Sequence, residues 1–172
     1  MTLRTLEGKH PKVDPKAFVS EAAYVLGDVE IGPESSVWPG AVIRGDMGKV
    51  RIGRATNIQD NSVVHSDGDA EYGDYVTLGH GVVCHAKKVG SHVVIGNGAV
   101  VNDGVEIGDY AIIAAGAVVL DDVKVPARSM VMGIPGQVRS QIQARHEELI
   151  RHYAQEYVEK TARYLKNGGL GS

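Results

Sequence analysis

Three histidines, His65, His80 and His85, lie close together near the middle of a 172-residue chain that has only four others. Imidazole is the commonest protein ligand for zinc and its neighbours, so such a cluster points first to a metal site. Just upstream stand a cation and a carboxylate, Arg44 and Asp46, and two amides, Asn57 and Gln59. These are groups that bind an anion and orient a water. A lone histidine facing solvent is ordinarily a surface residue, and His10, His92, His146 and His152 are read that way. The single cysteine, Cys84, falls at an inward-facing position of the pattern described next and reads as a core thiol rather than a ligand or nucleophile.

The scaffold that must hold these groups is written in the aliphatic residues. From Val19 they recur every six positions at Val25, Ile31, Val37 and Ile43; an insertion around Gly45 to Gly48 delays the next to Ile52, followed by Ile58 and Val64. A longer interruption, Ser66 to Gly73, precedes Leu78 and Cys84; one short step reaches Val89, and Ile95, Val101, Ile107, Ile113, Val119 and Val125 follow. Neither a helix period of 3.6 nor simple alternation explains this spacing. It predicts an all-β solenoid, a parallel β-helix of hexapeptide repeats with three sides per coil and an interior aliphatic ladder. Glycine often follows the aliphatic residue, as at Gly32, Gly53, Gly79, Gly90, Gly96 and Gly108, which reads as corner chemistry. Arg44, Gln59, His65 and His85 are the long polar exceptions at this phase.

Counting coils stacks Arg44, His65 and His85 along one edge, provided the interruption replaces a side of the coil rather than adding one. His80 falls one phase later, on a neighbouring side. One chain then offers two histidines at one edge and a third elsewhere, and a three-fold oligomer with sites at its subunit boundaries would unite them.

The expected division is a β-helix over residues 1–134 and a helical segment of the same domain over 135–172. In the latter Val138, Ile142, Leu149, Ile150, Tyr153, Tyr157 and Tyr164 give helical spacing for one or two helices packed alongside the solenoid. The last residues, Asn167 to Ser172, are expected to fray. Net charge is −3, which offers nothing to nucleic acid or an anionic membrane. One cysteine rules out an internal disulfide framework, and no stretch has the length of a membrane span or the apolar core of a signal peptide. The expectation is a soluble cytoplasmic protein. Aromatics are 5% and glycines number 22, a recipe for stacked β-branched layers rather than a core of large side chains.

The runs Ile43-Arg-Gly-Asp46, Asn57-Ile-Gln59-Asp60-Asn-Ser-Val-Val-His65 and Gly79-His80-Gly-Val-Val-Cys-His85 resemble the gamma-class carbonic anhydrase family, within the hexapeptide-repeat, left-handed β-helix proteins. The left hand comes from the resemblance alone, because parallel crossovers are nearly always right-handed. The resemblance implies a homotrimer with a metal at each boundary, His65 and His85 from one subunit and His80 from the next. Zinc fits three neutral imidazoles with an open position for water, and iron(II) or cobalt(II) would also fit. A metal so held lowers the pKa of its water into the neutral range, the known behaviour of zinc in carbonic anhydrases, and the resulting hydroxide hydrates carbon dioxide to bicarbonate.

The resemblance also implies roles for the neighbours. Arg44 and Asp46 would form an interface ion pair with Arg44 available to bicarbonate, Gln59 would orient the water, Asn57 would help polarise the substrate, and Tyr157 of the terminal segment would lie near the metal. The chain departs from the family prototype in two places. Met47 stands where the prototype has a glutamate, and the loop from Ser66 to Gly73 is short, leaving Asp67, Asp69 or Glu71 as stand-ins for a proton shuttle. Weak or conditional activity is the corresponding expectation. Two alternatives stay open: a non-catalytic assembly or binding subunit in which the metal clips subunits together, and a hexapeptide-repeat acyltransferase using a coenzyme A thioester.

Overall fold

The computed structural model describes residues 2–168, which form a left-handed parallel β-solenoid of about seven turns followed by a single C-terminal helix. Each repeat contributes a strand of only two or three residues before the chain turns a corner. Two long strands, Tyr24–Ile31 and Val42–Ile52, bend around a corner and join two of the three sides into one sheet. Strand pairing resolves the interior into three ladders. The first runs Val25, Ile43, Val64, Cys84, Val101 and Val119. The second runs Ile31, Ile52, Tyr72, Val89, Ile107 and Val125. The third runs Val19, Val37, Ile58, Leu78, Ile95, Ile113 and Val131. All but Val19 at the open end are buried.

The interruption between Ser66 and Gly73 hides a strand, Ala70–Tyr72, that pairs with coils on both sides. It replaces one side of the coil and adds none, so Ile43, Val64 and Cys84 stay in register. Tyr72 occupies the aliphatic position there and is fully buried, its hydroxyl aimed at the Cys84 carbonyl. Cys84 is itself buried, and burial pushes its thiol pKa up.

Glycine at the corner has a different cause from the conformational one expected. Gly53 does not need a positive φ; a Cβ there would lie 2.5 Å from the Gly73 carbonyl oxygen in the next coil. The coils approach too closely for a side chain. Positive φ falls two residues later, often on side-chain-bearing residues: Glu34, Ala55, Tyr75, His92, Tyr110 and Arg128. The rings of this column stack outside the corner, Tyr75 on His92 at 4.9 Å and His92 on Tyr110 at 4.6 Å. His92 is therefore part of a stack, with its Nδ1 buried, rather than the free surface residue expected.

The outward residue of each repeat gives every side its own character. Beside the first ladder stand Tyr24, Val42, Val63, Val83, Val100 and Val118, an apolar wall in which Tyr24 is 42% and Val83 39% exposed. Beside the second stand Lys12, Glu30, Arg51, Glu71, Lys88, Glu106 and Lys124, alternating in sign at every rung. The third side is covered by the helix.

The terminal segment begins as strand, not helix: Gln137–Gln141 folds back antiparallel on Ser129–Met132 and caps the solenoid. One helix, α1 (Ala144–Lys166), then runs along the third side, starting where the Gln143 N–H donates to His146 Nδ1. Ile150, Ala154 and Thr161 face inward. Tyr157 and Tyr164 pack on Trp38 at 5.3 and 5.1 Å, and Phe18 completes the cluster. These aromatics fix the helix beside Gln59 and His80. The expectation of fraying falls mostly outside the described residues. No helix of the described residues is long and apolar enough to cross a membrane.

Candidate metal centre

Because Ile43, Val64 and Cys84 share a ladder, the residues that follow them emerge at one edge of the apolar wall. Arg44, His65 and His85 line that edge, and the His65 and His85 rings meet edge-on with centroids 4.9 Å apart. His80 emerges at the opposite corner, just after the third side and before the apolar wall begins. A turn at His80–Gly81 and the strand Val83–Cys84 separate it from His85. Among the described residues no three His, Cys, Asp or Glu of one chain come together as a metal site.

A carboxylate holds each histidine by one ring nitrogen. His65 Nε2–H donates to Asp46 Oδ1 at 2.8 Å and His85 Nδ1–H to Asp103 Oδ1 at 2.7 Å, while His80 Nδ1 stands 3.0 Å from Asp60 Oδ2 as an ion-pair contact. In each ring the other nitrogen is left as a lone-pair donor. That of His65, Nδ1, is buried without any hydrogen-bond partner. An orphaned buried acceptor is costly to keep, and a carboxylate behind each imidazole is the arrangement that orients histidines toward a metal. The donor set fits a divalent cation.

Asp46 is shared. Its Oδ2 accepts from Arg44 Nη1 at 2.8 Å while Oδ1 serves His65. Burial alone would raise its pKa, but the hydrogen bonds from His65 and its own backbone N–H, with the Arg44 charge, hold it below the usual value. The Arg44–Asp46 pair thus forms within one chain.

On the third side Asn57 is buried and its amide is fully engaged. Its Nδ2 donates to Thr77 Oγ1 and its Oδ1 accepts from Gln59 Nε2, both at 2.9 Å. Gln59 is thereby held in place where it lines a groove. A groove of about 440 Å³ between this side and α1 is lined by Gln59, His80, Val94, Ile112, Leu149 and Tyr157, among others. Tyr157 is half-buried; burial, then the nearby Asp60 and Glu156 charges, push its pKa up to about 12, so its hydroxyl stays a donor throughout the physiological range. In the short loop, Asp69 accepts the Lys49 backbone N–H and Glu71 pairs with Arg51, so both serve the charged side of the coil. Met47 is exposed.

Sequence reasoning found the imidazoles and the amides but missed Asp60, Thr77 and Asp103. Their partners lie one coil away. Stepping one coil forward from His85 would have reached the Asn102–Asp103 corner.

The bacterial transferase hexapeptide family (six repeats) matches residues 87–121. The mitochondrial gamma carbonic anhydrase 1 of Arabidopsis thaliana is 46% identical over 112 residues, 60% of this chain. The chain spans only 41% of that plant protein's length. A probable carbonic anhydrase of Methanocaldococcus jannaschii is 48% identical over 142 residues, 81% of this chain and 89% of the relative. The chain belongs to the gamma-class carbonic anhydrase family. Membership accounts for the left-handed coil, which the residues alone did not predict. A crystal structure of a hexapeptide transferase family protein from Anaplasma phagocytophilum is 32% identical with a TM-score of 0.91, covering 95% of this chain and 98% of its own. The gamma-class fold is thus shared with proteins described as transferases, and the histidines rather than the coil carry the functional argument.

Proposed function

We propose that this protein is a metal-dependent carbonic anhydrase that interconverts carbon dioxide and bicarbonate as a homotrimer, its centres lying between subunits. One observation carries the reading: the imidazoles are split across the two borders of an exposed apolar wall, each backed by its own carboxylate. A second copy docked along that wall brings its His80 to the His65–His85 edge of the first, and repetition around a three-fold axis closes the ring. The name of the M. jannaschii relative agrees with this activity.

His65 through Nδ1, and His80 and His85 through Nε2, would hold the cation; zinc, iron(II) and cobalt(II) all suit this donor set. When bound, a divalent metal supplies the charge that makes water a nucleophile near neutral pH. The chain's own groups arrange the rest. Gln59, clamped by Asn57, which Thr77 anchors in turn, presents its carbonyl oxygen to accept from the attacking water and fix its direction. Asn57 acts through Gln59, since both ends of its amide are engaged. Arg44, anchored to Asp46 by Nη1, keeps its remaining N–H groups for the bicarbonate oxygens. Tyr157 offers a hydroxyl donor beside the groove. Carbon dioxide is apolar, and the Val94, Ile112 and Leu149 lining of that groove suits its approach.

The test combines elemental analysis, native mass and stopped-flow carbon dioxide hydration on one preparation, with His80→Ala as the control. The expected result is one metal per chain, a trimer, and hydration that His80→Ala abolishes. A metal-loaded trimer whose hydration equals that of the control would leave the metal as a structural clip and defeat the enzymatic reading. A metal-free protein that acetyl-coenzyme A protects from unfolding would favour acyl transfer.

A further inference from the structure

We propose that Asp103 is a positioning residue for the metal, setting the tautomer and direction of the His85 ring; this rests on His85 being a ligand. Asp103 stands one coil beyond His85, at the corner where the apolar wall turns into the charged side. Its place is fixed by the main chain. The His85 N–H bonds to the Val101 carbonyl, the Asn102 N–H to the Val119 carbonyl, and the Asp103 carbonyl accepts from the Asp122 N–H. With the backbone so engaged, the carboxylate is free to reach back across the coil spacing, and its Oδ1 takes the His85 Nδ1–H at 2.7 Å.

That contact decides which nitrogen carries the proton. An imidazole has two tautomers, and a carboxylate at Nδ1 selects the one with its lone pair on Nε2, while preventing the ring from flipping. His65 and His80 have Asp46 and Asp60, both within the motifs that resemble the family. His85 takes its carboxylate from outside them. An Asp-Gly pair at a corner is ordinarily explained by the turn, and Gly104 does adopt a positive φ of 67°. A turn residue of that kind bonds its own neighbouring backbone, however, whereas this side chain spends its close contact on a histidine 18 residues away.

Asp103→Ala and Asp103→Asn separate the two roles, because asparagine serves a turn as well as aspartate does but lacks the charge. Zinc affinity of the trimer would be measured by competition with a chromophoric chelator, and the His85 tautomer of the metal-free protein by nitrogen-15 NMR of the ring. Alanine should weaken zinc binding about 10- to 100-fold, the range for losing such a carboxylate. Asparagine should fall between alanine and wild type, and in both variants the His85 Nδ1–H signal should lose its fixed tautomer. Wild-type affinity together with an unchanged tautomer in both variants would overturn the proposal. If alanine disrupts folding, the asparagine variant decides alone. Should the wild type bind no zinc, the metal reading fails by itself, and the tautomer measurement still judges the Asp103 contact.

Discussion

Mixing two inactive variants gives the sharpest test of a site divided between subunits. In His80→Ala every centre lacks the corner ligand; in His85→Ala every centre lacks one edge ligand. A mixed trimer regains a complete centre wherever the subunit giving the corner is His85→Ala and the subunit giving the edge is His80→Ala. At equal proportions and random assembly each condition holds about half the time, so about one quarter of the boundaries should be complete. More generally the recovery follows x(1−x), where x is the fraction of one variant. The structure supplies the reason: His65 and His85 meet at one edge of the wall, His80 lies at the other, and among the described residues no three such ligands of one chain converge, whereas zinc–nitrogen bonds are about 2.0–2.1 Å. Co-refolded mixtures over a range of x would be assayed for zinc per chain and for hydration. Both should peak near one quarter of wild type at equal mixing. Mixtures no better than either parent, with exchange verified by native mass, would refute the divided site.

Other outcomes follow from particular contacts. Val83→Asp places an unpaired charge in the middle of the apolar wall, and in a trimer it does so three times over; sedimentation should show monomers with intact β circular dichroism, since the side chain faces away from the interior. Gly53→Ala forces a Cβ to 2.5 Å from the Gly73 carbonyl oxygen and should cost about 1–3 kcal/mol by thermal or urea unfolding, while Gly68→Ala, where a Cβ meets nothing within 4 Å, should stay within about 0.5 kcal/mol of wild type. The Tyr157 phenol is raised from its ordinary value of 10.0 to about 12, so its contribution is complete below pH 10 and declines between pH 10 and 12, where the unfolded phenol ionises first. Alkaline denaturation should accordingly be less steep over that window in Tyr157→Phe.

The period of six made the interior readable, because every inward position of a thin solenoid demands a compact apolar side chain and the chain cannot drift out of phase. Tyr72 escaped since a tyrosine amid acidic and glycine residues looks like loop, and only pairing with Ile52 and Val89 reveals it as a rung. The edge holding His65 and His85 followed from the same counting. The carboxylates behind the histidines did not, because polar contacts between coils join residues 18 to 20 positions apart and leave no local pattern. The residues just before each aliphatic position held a further signal: valines on one side, alternating charges on another. His92 was misjudged for a related reason. Its stacking partners, Tyr75 and Tyr110, are its counterparts one coil away on either side rather than its sequence neighbours.

The alternating ladder from Lys12 to Lys124 bears on how large an assembly can grow. Of the three walls of the prism, one is already lined by α1, and this one is pre-satisfied by its own ion pairs, among them Lys12–Glu30, Arg51–Glu30 and Lys124–Glu106. Stripping water from it would cost more than a neighbouring strand could return. Copies that met through the valine wall would leave this charged wall facing outward, where its paired charges resist the addition of further strands and the spread of a sheet or fibre.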